Sequence, residues 1–417
     1  MQAQTRAGGQ GFAATLRHRS FTYFQLAKFL SSIATQIQTV AVGAQVYELT
    51  HRPLDLGIIG LSQFLPFLLL VLPAGQAADR FNRRALLLAC FATELACGLA
   101  LLWFTLSGAT RPWPVFAVMV AFGAARAFSS PSASALLPNL VPKELFGTAV
   151  GISSSSWQLS VIAGPAVGGV LYAAFGAAVT YGAVAAFMVV ALACLALVRS
   201  PPQPVPKGAA NLHTLLEGIR FVRGRPVILG AISLDLFAVL FGGAVAMLPA
   251  YASDVLHVGP AGLGWLRASP GIGASLTALW LTAKPISRRV GPMMFAGVLV
   301  FGVATVLFGV SESFWWSLFL LALLGAADMI SVFVRQMLVQ LETPDAMRGR
   351  VSAVNSMFVG ASNELGEFES GVTAAWLGLV PSVAIGGALT VAVVIAAALL
   401  FPSLRHMDRF PEPHADG

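Results

Sequence analysis

Apolar runs of about 20 residues, separated by short polar breaks, recur along the whole chain. A helix needs roughly that many apolar residues to cross the ~30 Å hydrocarbon layer of a bilayer. Read this way, the first six spans are Phe21–Val46, Leu54–Ala78, Arg84–Ser107, Pro114–Leu136, Gly147–Leu171 and Gly176–Val198. The rest are Val227–Tyr251, Gly259–Ala283, Pro292–Val310, Phe314–Leu338, Val351–Trp376 and Ser382–Pro402. The runs lack the short alternating segments of a membrane β-barrel. The pattern therefore predicts an all-α membrane protein with about twelve transmembrane helices.

Composition agrees, with 57% of the residues hydrophobic and only 10% charged, where a soluble domain carries about a quarter. Charge then sets the expected orientation, because cytoplasmic loops collect lysine and arginine. Nineteen of these fall in loops on one side: Arg6, Arg17, Arg19, Arg80, Arg83, Arg84, Lys143, Arg199, Lys207, Arg220, Arg223, Arg225, Lys284, Arg288, Arg289, Arg348, Arg350, Arg405 and Arg409. Arg52 and Arg111 alone fall on the other. Both termini are expected in the cytoplasm, consistent with a start (Met1 to Arg19) that lacks the apolar core of a signal peptide. The net charge of +7 then reports topology, and no nucleic-acid partner is expected.

The longest polar stretch, Arg199–Pro226, opens with Pro201, Pro202, Pro204 and Pro206, which resist helix. Leu212–Val222 after them reads as a short amphipathic helix at the membrane surface. This linker, 199–226, divides the chain into six-helix halves at 1–198 and 227–417. The halves repeat. A shift of 202 residues matches Gly123, Ala124, Ala125, Ser129 and Leu136 with Gly325, Ala326, Ala327, Ser331 and Leu338. The same register pairs Pro142 with Pro344, Gly147 with Gly349, Ser160 with Ser362, Gly164 with Gly366, Gly169 with Gly371 and Gly176 with Gly378. Repeated halves that rock around a central site are a recurring transporter architecture.

Between the second and third spans stands Gly75-Gln-Ala-Ala-Asp79-Arg80-Phe-Asn82-Arg83-Arg84. It resembles the major facilitator superfamily loop Gly-x-x-x-Asp-Arg-x-Gly-Arg-Arg/Lys, with Asn82 replacing the usual glycine. Asn is the next best residue at positive φ. The resemblance implies that Asp79 meets the positive dipole end of the eleventh helix, and that Arg83 or Arg84 pairs with nearby acids. Together these residues form a cytoplasmic gate. In the second half Lys284 takes the aspartate's place, so the latch is expected in one half only. A second motif, Ser160-Val-Ile-Ala-Gly164-Pro165-Ala-Val-Gly168-Gly169, is similar to the Gly-x-x-x-Gly-Pro-x-x-Gly-Gly pattern of proton-coupled exporters. Its small residues let two helix backbones approach closely. With Arg126-Ala-Phe and Asn139-Leu-Val-Pro142, the chain resembles the enterobactin-exporter and macrolide-efflux branch of the superfamily over nearly its whole length.

Ten ionisable residues fall inside the spans: Glu94, Asp235, Asp328, Glu364, Glu367 and Glu369, and Lys28, Arg126, Arg267 and Arg335. Each costs several kcal/mol in hydrocarbon unless paired or hydrated. Arg126 and Asp328 occupy equivalent repeat positions with opposite charge, which suggests a pair across the two halves. Glu364 and Glu367 are three apart and share a helix face, while Glu369 points elsewhere. Two carboxylates that close disfavour double ionisation, so Glu364 and Glu367 are the first candidates to carry a coupling proton. Asp235 is the next.

These readings converge on a secondary transporter of the bacterial inner membrane, a proton-coupled exporter of a small amphipathic molecule such as a siderophore or drug. A nutrient or metabolite importer of the same fold is the alternative. An enzyme is not expected, since neither HExxH nor GxSxG occurs. No Gly-rich phosphate loop points to ATP. Cys90, Cys97 and Cys194 sit in apolar runs without metal-like spacing, and no histidine lies in the middle of a span, so neither a metal nor another cofactor is expected. The partners expected are the cargo, protons and lipid, around a monomer. Gln36, Gln38, Gln45, Gln63 and Phe64 are candidate cavity lining.

Overall fold

The computed structural model describes residues 12–199 and 212–411. The proline cluster of the linker and Lys207 lie outside them. Every regular element among the described residues is helical. The helices are α1 (Arg19–Thr50), α2 (Pro53–Arg80), α3 (Arg83–Leu106), α4 (Trp113–Leu136), α5 (Phe146–Ala196) and α6 (Leu212–Arg223). They continue as α7 (Pro226–Phe241), α8 (Gly259–Ala283), α9 (Val290–Gly309), α10 (Phe314–Leu341), α11 (Asp345–Leu377) and α12 (Leu379–Leu400). Eight helical stretches among the described residues are long and apolar enough to cross a membrane. One of them, α5, contains two of the expected spans. The long helices α1, α8 and α11 are more polar and supply the remaining three of the twelve expected spans.

The repeat is visible in the backbone. Gly176 (φ 76°, ψ 179°) breaks α5, and Gly378 (φ 91°, ψ 161°) separates α11 from α12. Both need the positive φ that glycine adopts without steric cost. Pro142 (φ −58°, ψ 153°) and Pro344 (φ −57°, ψ 150°) likewise match as the extended residues before the next helical segment.

The chain forms two compact units, 1–45 with 65–210 and 46–64 with 211–417. In unit 1, α3 packs on α4 and α5. Phe21, Phe24 and Ile37 of α1 share one core with Leu87, Phe91, Leu136, Val184 and Met188.

In unit 2, α10 packs on α8 and α9, and α9 also packs on α12. The linker helix α6 lies against α11, where Glu217 and Arg350 form an ion pair at 2.5 Å. Val222 joins Ile228, Val351 and Val354 in a small core. The seventh span departs from the single helix expected over Val227–Tyr251. It stops at Phe241, continues as a 3₁₀ turn over Ala244–Met247, and ends in a π turn over Tyr251–Val255. Gly242 and Gly243 favour the break, and Pro249 removes a donor just beyond it. At the far end of the chain, the segment after α12 folds back onto α9. Its Met407 and Asp408 carbonyls accept from Gly291 N at 2.9 Å and Val290 N at 3.3 Å, satisfying donors that a helix start leaves open.

Candidate functional site

Three charged residues of unit 2, Asp235, Asp328 and Arg335, come together where α7, α10 and α11 meet. Arg335 Nη2 lies 3.2 Å from Asp235 Oδ2, with both side chains almost fully buried. Arg335 Nη1 donates to Asn355 Oδ1 at 2.8 Å. Asp328, two helical turns before Arg335, interacts electrostatically with both Asp235 and Arg335. Asp235, Asp328 and Ser331 line a small cavity of about 10 Å³, room for one water-sized guest. Two carboxylates around one guanidinium leave a negative charge if both ionise, and a proton is the smallest cation that neutralises it.

Unit 1 holds its own buried acid. Glu94 of α3 is 4% exposed and accepts from Ser31 Oγ of α1 at 3.2 Å. Arg126 of α4 acts on it electrostatically. Of the glutamines expected to line a cavity, Gln45 instead ties helices together. It accepts from Tyr181 Oη at 2.9 Å and donates to Thr105 Oγ1 at 2.9 Å.

Glu364 and Glu367 are both half-buried on α11. Glu367 acts electrostatically on Arg267 of α8 and packs against Gly60 of α2, where a Cβ would come 2.6 Å from Oε2. Gly57 and Gly371 make a close backbone crossing beside it, with a Cβ on Gly57 only 3.1 Å from Gly371 Cα. Tyr47 Oη donates to Asp254 in the π turn. Residues 46–64 are thereby fastened to the rest of unit 2.

In the gate motif, Arg83 donates to Ala78 O at 3.1 Å and Ala135 O at 2.9 Å. Arg84 donates to Leu195 O at 3.4 Å and Ala196 O at 2.5 Å. These are carbonyls at helix C-terminal ends, favourable for a guanidinium, where the resemblance implies acids. Asn82 corrects the expectation of positive φ. Its φ is −61°, and its side chain caps α3 by accepting from Ala85 N at 3.1 Å, the usual use of asparagine at a helix start. Arg80 is exposed and Gly75 half-buried. The Asp79 side chain lies outside the described residues.

The glycine motif of α5 seats α1. A Cβ on Gly164 would come 2.5 Å from Gln36 Cβ, and one on Gly168 would come 3.0 Å from Ile37 Cα. Pro165 and Gly169 are buried with them. In the second half, Gly366 plays the part of Gly164. A Cβ there would come 2.9 Å from the carbonyls of Val239 and Leu240 on α7. Each half thus brings its fifth and first helices together through equivalent glycines.

Arg126 and Asp328 fall in different units, each with an oppositely charged neighbour inside its own. Sequence reasoning missed Ser31, Asn355, Tyr47 and Asp254 as partners. The signal for the last two is a tyrosine and an aspartate at the same end of paired spans.

Residues 25–367 match the family model of the Major Facilitator Superfamily. The chain belongs to that superfamily. It is 30% identical over 406 residues to an enterobactin exporter, EntS, of Citrobacter koseri, covering 96% of both chains. The enterobactin exporter EntS of Escherichia coli is 28% identical over 400 residues, covering 94% of both. Among solved structures, a mutant of the nucleoside transporter NupG superposes with TM-score 0.73 at 12% identity, over 92% of this chain and all of that one. A bacterial homolog of the human lysosomal transporter Spinster superposes with TM-score 0.71 at 17% identity, over 94% and 99%. At such identities the structures establish the fold alone. The chain is a membrane-embedded transporter of small molecules and not an enzyme.

Proposed function

We propose that this protein is a proton-coupled exporter of a small amphipathic molecule of the siderophore or drug class. The observation that carries coupling is the Asp235–Arg335–Asp328 cluster, two carboxylates held around one guanidinium at membrane depth. A proton added there cancels the surplus charge, and its loss restores it, so the occupancy of the cluster changes the electrostatics of α7 and α10 together. Glu364 and Glu367 on α11 are further carriers, and Glu94 with Arg126 is the matching site in unit 1. The halves alternate access as a monomer with both termini in the cytoplasm. Gly75, Asp79, Arg80, Arg83 and Arg84 close the cytoplasmic side.

Export is supported by relatives named as exporters along nearly the full chain, and by the Gly164-Pro165-x-x-Gly168-Gly169 motif. Enterobactin is the first cargo to test. Expressed in a strain whose own enterobactin exporter is deleted, the protein should restore enterobactin to the medium. In everted vesicles acidified inside, adding enterobactin should release protons. Accumulation inside the cells, or cargo movement insensitive to the pH gradient, would remove export or proton coupling respectively.

A further inference from the structure

On unit 2, a cavity of about 530 Å³ runs along α9 and α10. Met293, Ala296 and Val300 of α9 face Leu323, Ala326 and Ile330 of α10 across it. The walls are apolar, and Arg289 stands at one end. From Arg289 to Val300 the chain advances eleven residues, about 16 Å of helix. That equals about half of the ~30 Å hydrocarbon layer, one leaflet.

The end at Arg289 is basic. Lys284, Arg288 and Arg289 are all exposed in the short connection from α8 to α9. The folded-back C-terminal segment adds Arg405 and Arg409 near the start of α9. Its Asp408 accepts from Arg289 N at 3.2 Å and lies 3.8 Å from Arg409, so among the described residues of this end one carboxylate stands against five cations. Trp280 is exposed at the same end of α8, where amphipathic rings settle at headgroup depth. This loop is the second-half counterpart of the gate motif, with its aspartate replaced by Lys284.

We propose that the groove binds an acyl chain of an anionic phospholipid, with the headgroup phosphate against Arg288 and Arg289. The shape supplies a leaflet-deep apolar slot, and the charge supplies selectivity for an anionic head over a zwitterionic one. Small side chains at Ala296 and Ala326 keep the slot open.

Native mass spectrometry of the full chain in detergent, titrated with phosphatidylglycerol and separately with phosphatidylcholine, tests this. Phosphatidylglycerol should be retained preferentially. The double substitution Arg288→Gln/Arg289→Gln should weaken its binding about thirtyfold, which is ~1 kcal/mol for each of two cations at an anionic surface. Ala296→Trp should fill the slot and abolish retention with every arginine in place. Elution volume and melting temperature check that each variant is folded, and the exposed arginines make the charge variant safe if the tryptophan is not tolerated. Equal retention of phosphatidylcholine, or retention unchanged by the charge substitutions, would overturn the proposal. So would displacement of the lipid by enterobactin, which would make the groove a cargo site.

Discussion

Arg335 lies 3.2 Å from Asp235, and the contact ties α10 to α7 in the buried interior of unit 2. Removing one member of a buried ion pair strands the other, at a cost of about 3–5 kcal/mol, while removing both is often tolerated. Arg335→Met should therefore lower the melting temperature in detergent strongly, and Arg335→Met/Asp235→Leu should recover much of the loss. Additive losses in that double-mutant cycle would show that the two side chains act independently.

The coupling acids separate by what remains when each is neutralised. Asp235→Asn, Asp328→Asn, Glu364→Gln, Glu367→Gln and Glu94→Gln should be compared in vesicles for uphill transport and for downhill exchange. The variant that lacks the coupling proton should lose uphill transport and keep exchange. If all five still concentrate cargo, the coupling ion is not carried by these carboxylates.

Gly164 seats α1 so closely that a Cβ already meets Gln36. Gly164→Leu should destabilise unit 1 by about 1–3 kcal/mol through overpacking. Gly366→Leu should do the same to the α7–α11 contact in unit 2. Thermal unfolding of each variant reads the effect, and a substitution at the exposed position Gly151 serves as the control. Wild-type melting in both glycine variants would mean that neither contact is close-packed in solution.

The gate expectation gives a different readout. Asp79→Asn should reduce transport with little loss of folded protein, and should raise labelling of cysteines introduced into the cytoplasmic half-cavity. Unchanged labelling together with unchanged transport would exclude a latch at Asp79.

Arg126 and Asp328 are a separate test. If they pair during the cycle, Arg126→Gln and Asp328→Asn should each impair transport more than the two combined. Additive impairment would leave each residue to its own unit, Arg126 with Glu94 and Asp328 with Asp235.

Much of this was legible because a bilayer imposes one rule on every segment. The helix breaks at Gly176 and Gly378 fall at the junctions between expected spans, on a glycine that repeats in the two halves. The acids and arginines stand out because hydrocarbon penalises them wherever they occur. Their partners were not legible, since Asp235 and Arg335 come together only through tertiary packing of distant helices. The break that ends α7 was missed because Gly242-Gly243 looks like the small-residue content of any membrane helix. Asn82 shows a related confusion. The same residue type serves left-handed turns and helix N-caps, and only the backbone tells which.

The segment that closes over the start of α9 has a consequence for biosynthesis. Met407 and Asp408 are synthesised more than a hundred residues after the helix start that they complete. Until they emerge, α9 sits in the nascent membrane protein with open donors at its first turn. A chain stalled or clipped before Met407 would thus present quality-control proteases with an unfinished second half, whereas the first half would already have settled.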